Sequence, residues 1–450
     1  MEKLRHNNPF FHVVYLSLIL SLVFPGTKAE KKTINISNDN REVIILEEFR
    51  YTNNGRLSIN VSSVSNNPTT ANASRLAFFL SPSPFLGEAL HRMNEGSDYC
   101  VFDQPYVNPI FTLHHGYPGT SIQKLFSISK AEVYFLFFVN CAKKSSVTMS
   151  LSVEMYNIET NGKRNYLSDG SGLLPSIFFA STMAYSLLFL WWAIHCHHYN
   201  RKATKTIHIL MAALLISRAL DSLCLSLEQE TIKRTGSPHG WQFLLYFLHT
   251  IRSLLLVLVV LLIGAGWTVL KPFVHKEGQA ALALGMLVQI VSSVMYILKW
   301  ETGLFVDGYF AYTILLFILD FVSCWLLLLP IGSTMRELKR NADTEGKAAR
   351  SLEMLKCFRN LFVGIFVYIL ITRVALSILK FKASTNGWRD RWVLITVVEQ
   401  VINVVCFWGL FFMFRPTTRR DDNPFVATEH DEEAARAELE IMYDYTKFYE

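Results

Sequence analysis

Apolar and polar positions divide this 450-residue chain into stretches with different rhythms. Between Leu173 and Phe414 the apolar residues come in seven long blocks, near 173–199, 205–227, 241–270, 279–298, 308–334, 359–379 and 392–414. Each approaches the roughly 20 residues that a helix needs to cross about 30 Å of hydrocarbon. Seven membrane-spanning helices are therefore expected. Upstream the period shortens to two. Val147, Met149, Leu151, Val153 and Met155 alternate with Thr148, Ser150, Ser152 and Glu154, and Leu57, Ile59 and Val61 alternate with Ser58, Asn60 and Ser62. That is the rhythm of a strand buried on one face, whereas the unbroken apolar run Tyr134 to Val139 suits a strand buried on both. Clusters of Asn, Gly, Pro and Ser between such runs predict a small all-β sandwich. Its long connections, Ser81 to Gly96 and Gln104 to Pro118, are the expected ligand-contacting loops.

The first residues read as a secretion signal: Lys3 and Arg5, an apolar core from Val13 to Phe24, then Pro25 to Ala29 with small residues at the cleavage site. An eighth membrane helix is the alternative, though the apolar core is shorter than a span requires. The expected organisation is a signal peptide at 1–29, a luminal or extracellular β-sandwich at 30–172, a seven-helix domain at 173–414 and a cytosolic acidic tail at 415–450. Three glycosylation sequons, at Asn35, Asn60 and Asn72, all fall in the segment that such a signal would export. Asn67 is no acceptor, because Pro68 occupies the middle position. The same segment holds two of the seven cysteines, Cys100 and Cys141, which most simply form one disulfide in an oxidising compartment. The other five lie in or beside spans and read as buried thiols.

Composition agrees with a multi-pass membrane protein, since 51% of residues are hydrophobic and only 18% charged. With the N-terminus outside, the short connections assigned to the cytosol carry fourteen Lys and Arg against seven on the other side. That satisfies the positive-inside rule and puts the C-terminus in the cytosol.

Ionisable residues inside the apolar blocks are costly unless they pair or face a wet cavity. They are Arg218 and Asp221 on the second helix, His249 and Arg252 on the third, Asp320 on the fifth, Arg373 on the sixth, and Glu399 with Asn403 on the seventh. Arg218 and Asp221 share a helix face, as do His249 and Arg252, and Glu399 and Asn403. Either the cluster binds a charged ligand or relays a conformational change, or it is a set of interhelical ion pairs that only fix packing.

The cytosolic end of the third helix reads Gly264-Ala-Gly-Trp-Thr-Val-Leu-Lys271 without an acidic-Arg-Tyr triplet, and the seventh has no proline before Pro416. The coupling machinery of rhodopsin-type receptors is thus missing, and contact with a G protein would fall to the basic loop 336–356, otherwise a positive-inside anchor. A zinc hydrolase would need three protein ligands around an open position. Only His208 and His249 lie within spans, and His195-Cys-His-His198 sits at a helix end. No enzyme activity, metal or cofactor is expected, and no nucleic-acid partner. The tail contains Asn423, Pro424 and Phe425, the turn that endocytic adaptor domains of the EH type recognise, but a helix-stop turn would look the same.

Several segments resemble a known family. Asn165 to Pro175, Ile207 to Leu214, Leu262 to Trp267, Thr344 to Ala349 with Leu355 to Arg359, and Phe414 to Pro416 followed by Asp422 to Phe425 are similar to the lung seven-transmembrane receptor, or GOST, family. The resemblance covers about residues 160–426. It implies a Golgi-dynamics-type (GOLD-like) luminal β-sandwich on a seven-helix membrane bundle. Plant members are listed as candidate G-protein-coupled receptors, and animal members are associated with Golgi and endosomal trafficking. The expectation is a receptor-like protein that senses a luminal or extracellular ligand and contacts a Gα subunit. A Golgi or endosomal trafficking factor that holds cargo and engages EH-type or coat adaptors is the alternative, and a cation or proton pathway a third.

Overall fold

The computed structural model describes residues 31–67, 76–82, 109–112, 122–141, 146–199, 204, 206–264, 276–302, 309–344, 348–376, 378–379 and 392–415. Among the described residues nine antiparallel strands come first: β1 (Lys31–Asp39), β2 (Val43–Arg50), β3 (Gly55–Asn67), β4 (Leu76–Pro82), β5 (Pro109–Thr112), β6 (Ile122–Ile128), β7 (Val133–Asn140), β8 (Ser146–Ile158) and β9 (Arg164–Asn165). They form two sheets, one in the order β1-β8-β3-β6 with β9 paired to β8, the other β2-β7-β4-β5. The alternation seen in the sequence builds the space between them. Leu57, Ile59 and Val61 of β3 and Met149, Leu151, Val153 and Met155 of β8 point inward and are almost wholly buried. Phe78 and Phe138 meet them from the second sheet, with ring centroids 5.1 Å apart. The sandwich is the expected one.

The unbroken apolar run of β7 is explained by a second cluster on the opposite face of its sheet. There Ala77, Phe79, Phe135, Phe137 and Val139 are buried together, with Phe79 and Phe137 stacked at 5.5 Å. Both faces of this sheet are therefore covered. The other sheet keeps a polar outer face, on which Asn35 stands opposite Ser150 and Asn60 opposite Ser152.

Among the described residues seven long helices follow: α1 (Leu174–Ile194), α2 (Thr206–Thr235), α3 (Trp241–Gly264), α4 (Lys276–Thr302), α5 (Tyr309–Thr344), α6 (Ala348–Ile369) and α7 (Trp392–Met413). All except α6 are long and apolar enough to cross a membrane; in α6 the apolar part is Arg359–Tyr368, continued by a π-helical turn at Leu370–Ala375. Outward-facing Phe179, Leu187, Phe321, Trp325, Val401 and Trp408 are exposed. Such a continuous apolar girdle is stable only against lipid. The bundle runs α1 to α2 to α3, then α4, α5 and α6, and α7 closes the ring against α1 through Tyr185–Phe407 and Trp192–Phe411.

α2, α5 and α6 run well past their apolar blocks. α2 continues past Leu227 to Thr235, where Gly236 adopts φ +78° and its N–H turns back to the Ile232 carbonyl. A left-handed glycine is the usual helix stop. The segment 336–356, expected as a loop, is mostly helical: α5 runs to Thr344 and α6 begins at Ala348. Its Arg, Glu, Lys and Leu content favours helix, so the basic residues extend two membrane helices. Pro330 lies inside α5, beside the end of α3. One turn on, the Thr334 hydroxyl donates to the Gly264 carbonyl at 2.7 Å. A Cβ on Gly264 would come within 2.8 Å of Ile331, so the two helices meet at backbone distance there.

Candidate functional site

Three of the intramembrane polar residues, Arg218, Asp221 and Arg252, meet at one carboxylate. α2 places Arg218 and Asp221 three residues apart, so both lie on one face, and the Arg218 Nη1 lies 3.1 Å from the Asp221 Oδ2. From α3, the Arg252 Nε approaches the same oxygen at 3.0 Å. Arg218 and Asp221 are buried, 6% and 3% exposed, which leaves no room for hydration to replace these contacts. Two guanidiniums thus share one carboxylate in the apolar interior.

Aromatic and polar side chains from the remaining helices complete the shell. The Arg218 guanidinium sits over the Tyr185 ring of α1 at 5.2 Å, which adds cation–π attraction in a desolvated place. Arg252 Nη2 donates to His249 Nδ1 at 2.9 Å. His249 in turn stacks flat on Tyr296 of α4, 4.3 Å between centroids. The Tyr368 hydroxyl of α6 donates to Asn403 Oδ1 of α7 at 2.8 Å. Asp320 of α5 and Glu399 of α7 are half-buried, and Arg373 falls in the π-helical turn Leu370–Ala375. Arg218 thus meets Asp221 within α2 and Arg252 meets His249 within α3; on α7, Asn403 meets a tyrosine of α6.

A second contact region joins the sandwich to α2. The Lys31 N–H donates to the Gly236 carbonyl at 3.1 Å and the Tyr166 N–H to the Lys233 carbonyl at 3.0 Å. Lys233 also pairs with Glu159 at 3.4 Å. Behind these bonds Glu154 of β8 gathers the Tyr166 hydroxyl at 2.6 Å, Arg164 at 3.1 Å and Lys31 at 3.2 Å. Burial alone would raise the Glu154 carboxyl, but the Tyr166 hydroxyl and the Lys31 ammonium outweigh it and hold it below the usual carboxylate range. Gly236 is needed for its positive φ and for space, since a Cβ would lie 2.9 Å from the Tyr166 ring. Arg218 stands eighteen residues before Gly236, about 27 Å along the helix. One helix therefore links the sandwich to the buried charges.

A model of the GOST seven-transmembrane domain matches residues 174–421. The chain belongs to the GOST seven-transmembrane family. A second model, the N-terminal domain of the CAND6/7 proteins, matches residues 32–157. The Arabidopsis thaliana protein named candidate G-protein coupled receptor 6 is 30% identical over 434 residues, 96% of this chain and 99% of that protein. Human transmembrane protein 87B is 19% identical over 296 residues, 65% of this chain and 52% of that protein. Transmembrane protein 87A of Xenopus tropicalis is 23% identical over 211 residues, 47% of this chain and 38% of that protein.

Within this GOST chain the other expected sites divide by position. Asn35 is exposed, with its Oδ1 accepting from the Ser150 hydroxyl at 2.7 Å. Asn60 shares that outer face, and Cys141 closes β7 against the outer apolar cluster. Asn72, Cys100, the signal segment, most of the two expected ligand loops, and Asn423, Pro424 and Phe425 lie outside the described residues. Among the described residues no three of His, Cys, Asp and Glu come together as a metal site. Sequence reasoning missed Tyr185, Tyr296 and Tyr368, because a tyrosine inside an apolar block gives no sign of which neighbour it meets. It also missed Gly236, though a glycine just past a helical block is a recognised stop signal.

Proposed function

We propose that this protein is receptor-like: the sandwich, outside the cytosol, binds a ligand or cargo, and α2 carries the bound state to the intramembrane charges. The supporting observation is that the sandwich is hydrogen-bonded to the backbone of the helix that bears Arg218 and Asp221. In this reading the outer face with Asn35 and Asn60 carries glycans, Cys100 and Cys141 form a disulfide, and ligand contacts come from Ser81 to Gly96 and Gln104 to Pro118. The cytosolic partner is a G-protein α subunit, in keeping with the name of the Arabidopsis relative.

Coupling between two sites is reciprocal, so the relay can be tested from the membrane side without knowing the ligand. Asp221→Asn in lipid nanodiscs is expected to speed amide hydrogen exchange in 31–39 and 164–167, far from the substitution. Unchanged exchange there in a folded variant would remove the relay. Association with Gα is read by nucleotide-sensitive co-purification.

Asn423-Pro-Phe425 supports a second reading, cargo sorting through EH-type or coat adaptors in Golgi or endosomal membranes. It predicts that Asn423→Ala or Phe425→Ala redistributes the protein between cell surface and internal membranes. An unmoved variant counts against that signal.

A further inference from the structure

Where α7 closes the ring against α1, the outer surface is not filled. Tyr185, Trp192, Phe407 and Phe411 seal the inner side of the contact. Outside them lies an open cavity of about 360 Å³, lined by Ala184, Leu188 and Trp191 of α1 and Val404, Val405 and Trp408 of α7. That volume falls in the roughly 300–1,000 Å³ range of small-molecule sites. Its lining is apolar and it faces the girdle that meets lipid. Both helices run away from the sandwich here, and along both the chemistry changes in the same direction. On α1 the lining face continues from Trp191 to His195, whose ring stacks on the indole at 5.6 Å. On α7 it continues from Trp408 to Phe412, stacked at 5.5 Å, and then to the Arg415 guanidinium, 4.5 Å above the Phe412 ring.

We infer that this groove is a binding site for an anionic phospholipid, with an acyl chain between Trp191 and Trp408 and the phosphate against Arg415 and His195. The length of the groove is apolar and its far end is cationic, the charge order of a lipid whose headgroup lies in the leaflet away from the sandwich. A guanidinium holds a phosphate through paired donors, and long basic side chains reach the headgroup level from a helix end. Basic pockets between spans on the cytosolic side select anionic headgroups in this way. Trp at the same level anchors the interface.

The test uses the full chain in phosphatidylcholine nanodiscs containing a minor fraction of phosphatidylserine or phosphatidylcholine with brominated chains. Bromine quenches nearby indoles, and the signal from the groove is the difference between the native chain and Trp408→Phe. The expected result is saturable quenching several-fold stronger with brominated phosphatidylserine. Arg415→Gln should reduce it to the phosphatidylcholine level, and Arg415→Lys should retain the preference. Ala184→Phe, which fills the groove, should lower quenching by both lipids. Equal quenching by the two lipids in the native chain would mean ordinary annular lipid and overturn the assignment, as would a preference that survives Arg415→Gln.

Discussion

Replacing Asp221 by Asn removes the charge on which the buried cluster depends. The carboxylate lies 3.1 Å from Arg218 and 3.0 Å from Arg252. With charge centres about 4 Å apart and an effective dielectric near 20, each attraction amounts to about 4 kcal/mol before desolvation is subtracted. The substitution returns none of the desolvation cost of the arginines, which stay buried beside each other without a counter-charge. The expected net loss is about 3–5 kcal/mol, the range for a buried ion stripped of its partner. Adding Arg252→Gln takes away one of the stranded cations and their mutual repulsion. The double variant should therefore recover about 2 kcal/mol of that loss, a non-additivity expected of residues in direct contact. Reversible unfolding of the full chain in mixed micelles with increasing sodium dodecyl sulfate, followed by far-ultraviolet circular dichroism, measures both. A loss under about 1 kcal/mol, as for a solvent-exposed pair, would refute the reasoning. So would a double variant no more stable than Asp221→Asn.

Gly236→Ala is expected to cost about 1–3 kcal/mol locally, from its left-handed φ and the 2.9 Å approach to Tyr166; faster hydrogen exchange in β1 and β9, with the membrane core unchanged, would show it. Because Glu154 titrates below its usual value of 4.5 when folded, its contribution to docking is fully present above that value and fades as pH falls through the lowered one. Loosening of the sandwich should thus begin only below about pH 4.5, and Glu154→Gln should flatten this acid limb in a proteolysis profile. Thr334→Val deletes the hydrogen bond to the Gly264 carbonyl and should lower stability in the same micelle titration by about 1 kcal/mol. Asn35→Gln and Asn60→Gln should each remove one glycosidase-sensitive mobility step on gels, and a non-reduced digest should yield a peptide pair joined through Cys100 and Cys141.

The strands and spans were legible because burial imposes its period on the chain. Alternation in β3 and β8 and the unbroken run in β7 each forecast which faces are covered. The same-helix pairs Arg218–Asp221 and His249–Arg252 follow from helical spacing alone. Sharing of Asp221 by Arg252 does not, since it depends on how α2 and α3 rotate against each other, and that is decided by packing over their whole length. The polar end of α2 was misjudged as loop because hydropathy marks where lipid stops, whereas a helix stops where its backbone is capped. Tail and loop motifs such as Asn423-Pro-Phe425 carry no periodic signal, and their meaning depends on a partner.

A helix of 30 residues rises about 45 Å, half as long again as the hydrocarbon it crosses. The surplus of α2 projects beyond the lipid, and it is there that Lys31 and Tyr166 bond to its backbone. Membrane helices adjust to thicker or thinner bilayers chiefly by tilting. A tilt of α2 turns the sandwich by the same angle, because the bonds that hold it are to main chain and not to swivelling side chains. Bilayer thickness is then an input in its own right. Passage from a thin membrane to a thick one is expected to re-aim the sandwich relative to the lipid surface.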